Sequence, residues 1–268
     1  MTQGVNRKMS RTDLSFWQAA WKQFSFHPGR LTAPSTFDPF LTKYLARVNE
    51  GQTRDLLDIG CFPGRFLHFF AKNLGYRVFG IDFLPETAHV QRWLKESGVE
   101  AKVTVADFFH FTPGRGYDVV TSFGFVEHFP NWQEVLDRHI ALLNPGGTLI
   151  IGMPNYRYGQ YWLHFLLNPS FMEGHFIEVM DPKKWAAAAE ARGLEVLYAG
   201  YHGTFGIWSR LPGQGWLHLA RKILLRLLDY VARAIDCLKF DYPNRFFSSY
   251  IFIVARHPGL KWSAQTLG

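Results

Sequence analysis

With two cysteines in 268 residues, the chain can form at most one disulfide. Cys61 sits in a tight turn and Cys237 in a distant helical stretch, so no bridge is expected and a reducing compartment is indicated. The amino terminus, Met1 to Arg11, is polar and lacks the apolar core of a secretory signal. No uninterrupted apolar run approaches membrane-spanning length, and the expectation is a cytoplasmic protein. Neither H-E-x-x-H nor C-x-x-C occurs, which removes the common zinc arrangements. There is no long block of Lys or Arg, so the net charge of +7 permits an acidic partner without marking a nucleic-acid footprint. The full G-x-G-x-x-G of a dinucleotide cradle is missing too.

Aromatic residues are in surplus, with 25 Phe and 9 Trp making an aromatic share of 17%. This length supports one large core with an appended lid. Rings beyond the needs of that core could line a pocket for a flat or apolar substrate. The stretch from Asp55 to Phe66, Asp-Leu-Leu-Asp-Ile-Gly-Cys-Phe-Pro-Gly-Arg-Phe, organises the rest. Its apolar run reads as a buried parallel strand, followed by a Gly-rich turn and a helix. Gly60 frees the turn, Gly64 would let the helix approach a ligand, and the helix amino terminus offers N–H groups. Asp58 brings a negative charge that repels pyrophosphate and accepts a cationic amino group, so an amino-acid-like ligand is expected.

Strand and helix then alternate: strands near 55–59, 77–81, 102–106, 117–123 and 147–153, with helices 64–74, 85–97 and 131–143 between them. Such alternation implies right-handed crossovers and a parallel sheet that binds ligands outside its carboxyl edge. Asp58, Asp82, Asp107 and Glu127 all fall at or just beyond strand carboxyl ends. Asp181-Pro182 should start a helix ending at Gly193, followed by strands from Leu194 to Tyr198 and from Ser249 to Arg256.

These motifs resemble class I S-adenosylmethionine-dependent methyltransferases. Asp58-Ile-Gly-Cys-Phe-Pro-Gly64 resembles their first motif, although Phe62 stands where a glycine is usual. Val78 to Asp82, Val103 to Phe108, Tyr117 to His128 and Asn144 to Gly152 resemble the following four in order. The resemblance implies a Rossmann-like, doubly wound, mostly parallel α/β sheet of seven strands. It implies S-adenosyl-L-methionine as cofactor and S-adenosyl-L-homocysteine as product. The binding residues would be Asp58, Gly60, Cys61, Phe62 and Gly64, then Asp82 and Phe83, Asp107 and Phe108, and Phe123. Val126-Glu-His, with Asn144-Pro-Gly-Gly, is similar to the O-methyltransferases of ubiquinone biosynthesis. Some of those bind a divalent metal through this Glu-His pair and an upstream carboxylate. Gly124 takes the upstream acid's place here, so no metal is expected. His128 is a candidate base for a hydroxyl proton, with Glu127 beside it holding the loop. His175, ahead of the Asp181 helix, is a third candidate facing the site.

Residues 1–50 are read as a helical amino-terminal lid, 51–200 with 249–258 as the cofactor-binding core, and 201–248 as an insertion. Thr36 would cap a lid helix running through Phe37, Leu41, Tyr44 and Val48. The insertion separates two strands that usually form a hairpin, and its helix from Trp216 to Lys239 has a polar stripe opposite an apolar one. Packing of Leu224, Leu228, Val231 and Ile235 on the protein itself or in a homodimer is preferred over contact with a membrane surface. The expected activity is methyl transfer to a small molecule, favouring oxygen on an aromatic or apolar hydroxyl compound. A macromolecular acceptor, or a silent cofactor-binding partner protein, are the alternatives.

Overall fold

The computed structural model describes residues 12–22, 28–46, 53–167, 172–205, 216–237 and 242–259. Val48 of the expected lid helix and Lys239 of the expected insertion helix lie outside them. Seven strands make one sheet: β1 (Asp55–Ile59), β2 (Arg77–Asp82), β3 (Ala101–Val105), β4 (Tyr117–Phe123), β5 (Leu143–Pro154), β6 (Glu195–Phe205) and β7 (Ser248–Arg256). Their order is β3-β2-β1-β4-β5-β7-β6. The first five are parallel, and β7 runs antiparallel between β5 and β6. This is the doubly wound, Rossmann-like arrangement the motifs imply, with the strand order reversing beside β1.

β1 is buried along its whole length, as a central strand covered on both faces must be. Leu56 joins the layer of α3 (Phe37–Leu45), α4 (Arg65–Leu74) and α5 (Thr87–Glu96). Leu57 and Ile59 join the opposite layer, with α6 (Trp132–Ala141) and α8 (Pro182–Glu190). β6 outruns its expected length because β7 pairs with it from Glu195 to Phe205, and β5 starts early because Leu143 pairs with Tyr117 of β4 ahead of a register shift. Asp181 caps α8 by accepting the Lys183 N–H, with Pro182 in the first helical turn.

Three local expectations change. Thr36 makes no side-chain cap; Ser35 does, accepting the Phe37 N–H while Asp38 accepts the Ser35 N–H in a reciprocal box. Gly64 faces away from the strand ends: a Cβ there would lie 2.4 Å from Val90 and 3.2 Å from Trp93 on α5, and its φ is +93°. It therefore permits close α4–α5 packing. Gly64→Ala combines a positive φ with overpacking, and we expect a loss of about 2–4 kcal/mol, measurable by chemical denaturation. An unchanged midpoint would show that Val90 yields freely.

The third change concerns α9 (Trp216–Cys237), the insertion's helix, which touches β6. Leu225 and Leu228 are half-buried, whereas Leu224 and Val231 are exposed. A helix apolar around most of its circumference cannot cover itself along one strand.

Candidate active site

A cleft of about 260 Å³ opens outside the carboxyl ends of β1, β2 and β4. The turn after β1 forms its floor. Gly60 adopts φ +70°, and a Cβ there would stand 3.1 Å from the Phe125 ring. The N–H groups of Gly60 and Cys61 both donate to the Ile81 carbonyl, locking the turn onto β2. Asp82 ends β2 with its carboxylate in the cleft and only 8% of the residue exposed. Its Oδ1 accepts the Leu84 N–H at 3.0 Å and its Oδ2 the Phe62 N–H at 3.1 Å. Burial raises the Asp82 carboxyl above the ordinary carboxylate range, and those two N–H groups oppose the shift. Asp107 caps a short 3-10 turn by accepting the Phe109 N–H and stands 3.3 Å from His110 Nδ1.

Rings make up much of the wall. Phe108, Phe125, Phe129 and Phe109 form a chain of edge-on and tilted pairs at 5.0–5.3 Å. Phe62, Phe83 and Phe123 complete the set on the other strands. α1 (Leu14–Lys22) lies over the opening, and Trp17 meets His128 edge-on with centroids 4.9 Å apart. The charged lining is acidic, from Asp13, Asp82, Asp107 and Glu134, and no Lys or Arg lines the cleft among the described residues.

The 3-10 turn Val126–His128 after β4 places a buried acid and imidazole together. His128 lines the cleft, and its Nδ1 lies 2.8 Å from the Gly174 carbonyl. Burial pushes the ring down to about 4, against the carbonyls of Gly174 and Gly124, so it is neutral at pH 7. A neutral ring carries one proton, which serves either the Gly174 carbonyl at Nδ1 or the Gly124 carbonyl. Glu127 is 1% exposed, with Oε1 3.8 Å from His128 Nε2 and Oε2 buried without a hydrogen-bond partner. Burial pushes its carboxyl up to about 8. His175 packs on His128 from behind, centroids 4.7 Å apart, and edge-on to Tyr156. The donor atoms of Glu127, His128 and His175 lie within 4.8 Å of one another, a set that could supply one ligand each to a cation.

The methyltransferase-domain family model matches residues 33–199, more than half of the chain. The chain belongs to this family. It is 31% identical to trans-aconitate 2-methyltransferase of Delftia acidovorans over 117 residues, 42% of each chain. It is 23% identical to ubiquinone biosynthesis O-methyltransferase of Coxiella burnetii over 206 residues, 73% of this chain and 84% of that one. Its fold is that of a SAM-dependent methyltransferase from Archaeoglobus fulgidus, with TM-score 0.55, 16% identity and 90% and 99% of the two chains covered. The N-methyltransferase NodS from Bradyrhizobium japonicum, solved with S-adenosyl-L-homocysteine, superposes with TM-score 0.52 and 14% identity over 92% and 100%. The protein is an S-adenosyl-L-methionine-dependent methyltransferase.

Its cleft fits that cofactor. The acidic lining suits a donor of net positive charge, and Asp82 keeps carboxylate lone pairs facing the cleft after taking two N–H groups. Gly60, Phe62, Asp82, Phe83, Asp107, Phe108 and Phe123 line the methyltransferase's cleft as the motifs led us to expect. Asp58, Cys61 and Gly64 stand behind its wall. Asp58 is 1% exposed and accepts the Thr121 hydroxyl at 2.7 Å; burial chiefly pushes its carboxyl to about 7. Cys61 is a buried free thiol beside Gly80. Of the three catalytic candidates only His128 reaches the cleft; Glu127 and His175 support it from beneath. Sequence reasoning overlooked Phe125, Phe129, Asn131 and Glu134, whose positions just after β4 were the available signal.

Proposed function

We propose that the acceptor is a small, neutral, apolar compound methylated on a hydroxyl oxygen, with His128 as the residue that holds the departing proton. The observation that carries this is the lining: among the described residues it is rings and acids without a Lys or Arg, with the neutral imidazole of His128 among them. The fixed acids of the lining, Asp13, Asp82, Asp107 and Glu134, disfavour an anionic acceptor, whether a carboxylate or a nucleic acid. The relative named for ubiquinone biosynthesis O-methylation agrees with this chemistry.

S-adenosyl-L-methionine supplies a methyl group on a positively charged sulfur, an electrophile that needs an aligned nucleophile more than it needs activation. Alignment is the task of the rings. Phe125, Phe129 and Trp17 form a slot that excludes water and restricts how a flat acceptor can lie. Nδ1 of His128 is held at 2.8 Å from the Gly174 carbonyl, and the tautomer with its proton there leaves Nε2 as the acceptor nitrogen. Nε2 would hold the proton that the acceptor hydroxyl gives up. A ring pushed down to about 4 is a weak base, suited to accept that proton late, as charge leaves the oxygen.

His128→Asn should lower kcat on a phenolic acceptor by roughly 10²–10⁴-fold while leaving cofactor affinity within about twofold. Steady-state kinetics and calorimetry measure the two separately. Turnover restricted to amines or carboxylic acids, or full activity in the variant, would overturn the reading.

A further inference from the structure

Among the described residues, most exposed large hydrophobic side chains fall on a few segments. On α9, Trp216, Leu219, Ile223, Leu227 and Tyr230 recur every three or four residues as one outward stripe, widened by Leu224 and Val231. Trp216 and Tyr230 are 77% and 76% exposed. α7 (Tyr158–Leu167) adds Trp162, Phe165 and Leu166. Tyr242, Phe246 and Phe247, ahead of β7, add three more.

Topology joins each of the segments that carry them to the sheet at the cleft edge. Phe123, at the end of β4, is paired with Gly152, and β5 ends two residues on at Pro154, opposite Tyr250. β6 ends at Phe205 opposite Ser248, so the insertion leaves and re-enters the sheet on that same edge. The remaining exposed large apolar residues, Leu14 and Phe16 of α1 and Val105 at the end of β3, belong to it too.

We infer that this edge rests on an anionic lipid bilayer, with α9 lying along the surface. A rim of apolar side chains spread over four segments around a cleft mouth matches a broad plane. Charge selects the same occupant. Lys222 and Arg226 are exposed along one border of the α9 stripe, and the helix carries Arg221, Lys222, Arg226 and Arg233 against Asp229 and Asp236. A second copy of a chain with net charge +7 would bring like charge to that border, whereas anionic headgroups complement it. No described helix is long and apolar enough to cross a membrane, so the contact is interfacial. The cleft would then open toward the lipid, where apolar acceptors concentrate.

The test is flotation of the full chain with phosphatidylcholine vesicles containing roughly one-third phosphatidylglycerol. The wild-type chain should float with them, and pure phosphatidylcholine should retain far less. Ile223→Asp with Leu227→Asp should weaken binding at least tenfold without lowering the melting temperature, since both side chains already face solvent. Lys222→Glu with Arg226→Glu should weaken binding to the anionic vesicles specifically. Absence of flotation, or flotation indifferent to both pairs, overturns the inference. So does a dimer in sedimentation that the Ile223/Leu227 pair dissolves, which would assign the face to a second copy. Flotation is read without methyl transfer, so its failure leaves the acceptor reading where it stood.

Discussion

Asp82→Ala is expected to weaken binding of S-adenosyl-L-methionine by at least two orders of magnitude. The carboxylate lies in the cleft at the end of β2, with each oxygen already taking one backbone N–H. Those bonds fix both oxygens and leave a lone pair on each for a diol. Hydrogen bonds to a charged acceptor are worth roughly 1.5–3 kcal/mol apiece, so losing two removes about 3–6 kcal/mol, at least two orders of magnitude in the dissociation constant. Calorimetric titration reads the dissociation constant directly. Alanine also leaves the N–H groups of Phe62 and Leu84 without their acceptor, so the turn itself would loosen. Asp82→Asn separates the two effects: it keeps one oxygen, and its penalty should be nearer tenfold with the melting temperature retained. Unchanged affinity in a folded Asp82→Ala protein would sink the assignment.

Asp82 is legible in the sequence because its signal is local. A strand of Val78, Phe79 and Ile81 must be buried, and an acid at its carboxyl end must emerge at the sheet's binding edge. The same reasoning located Asp107 and His128. It failed where the deciding partner lies elsewhere in the chain. Gly64 reads as a ligand-approach glycine until Val90 and Trp93 stand against it. Asp58 reads as a binding acid until Thr121 of the neighbouring strand takes its carboxylate. The extra length of β6 comes from β7, about fifty residues further along the chain, and the early start of β5 comes from the pairing of Leu143 with Tyr117 of β4. On α9 the amphipathic pattern was plain, but which of its apolar residues would stay outside depended on how little of it β6 covers.

Glu127→Gln should stabilise the protein at alkaline pH and leave it nearly unchanged in acid. Glu127 is buried with Oε2 unpaired, and its carboxyl is pushed up to about 8 from an ordinary 4.5. The unfolded chain releases this proton near pH 4.5; the folded chain holds it until about pH 8. Between those limits the native state binds more protons than the unfolded state, so stability falls as pH rises. At about 1.36 kcal/mol per unit, the wild-type chain loses about 3–5 kcal/mol across the window, a loss that Gln, which does not titrate, escapes. His128 works the other way: its depressed value makes stability rise between about 4 and its ordinary 6.5. To the extent that His128 titrates alike in both proteins, it cancels from the comparison. Denaturant unfolding of both in chelator-containing buffer, from about pH 5 to about pH 8.5, should show a difference near zero that grows steadily in favour of Gln. A flat difference would mean that the acid is not held neutral beneath His128. The imidazole would then sit on a carboxylate and be a stronger base than its burial alone makes it.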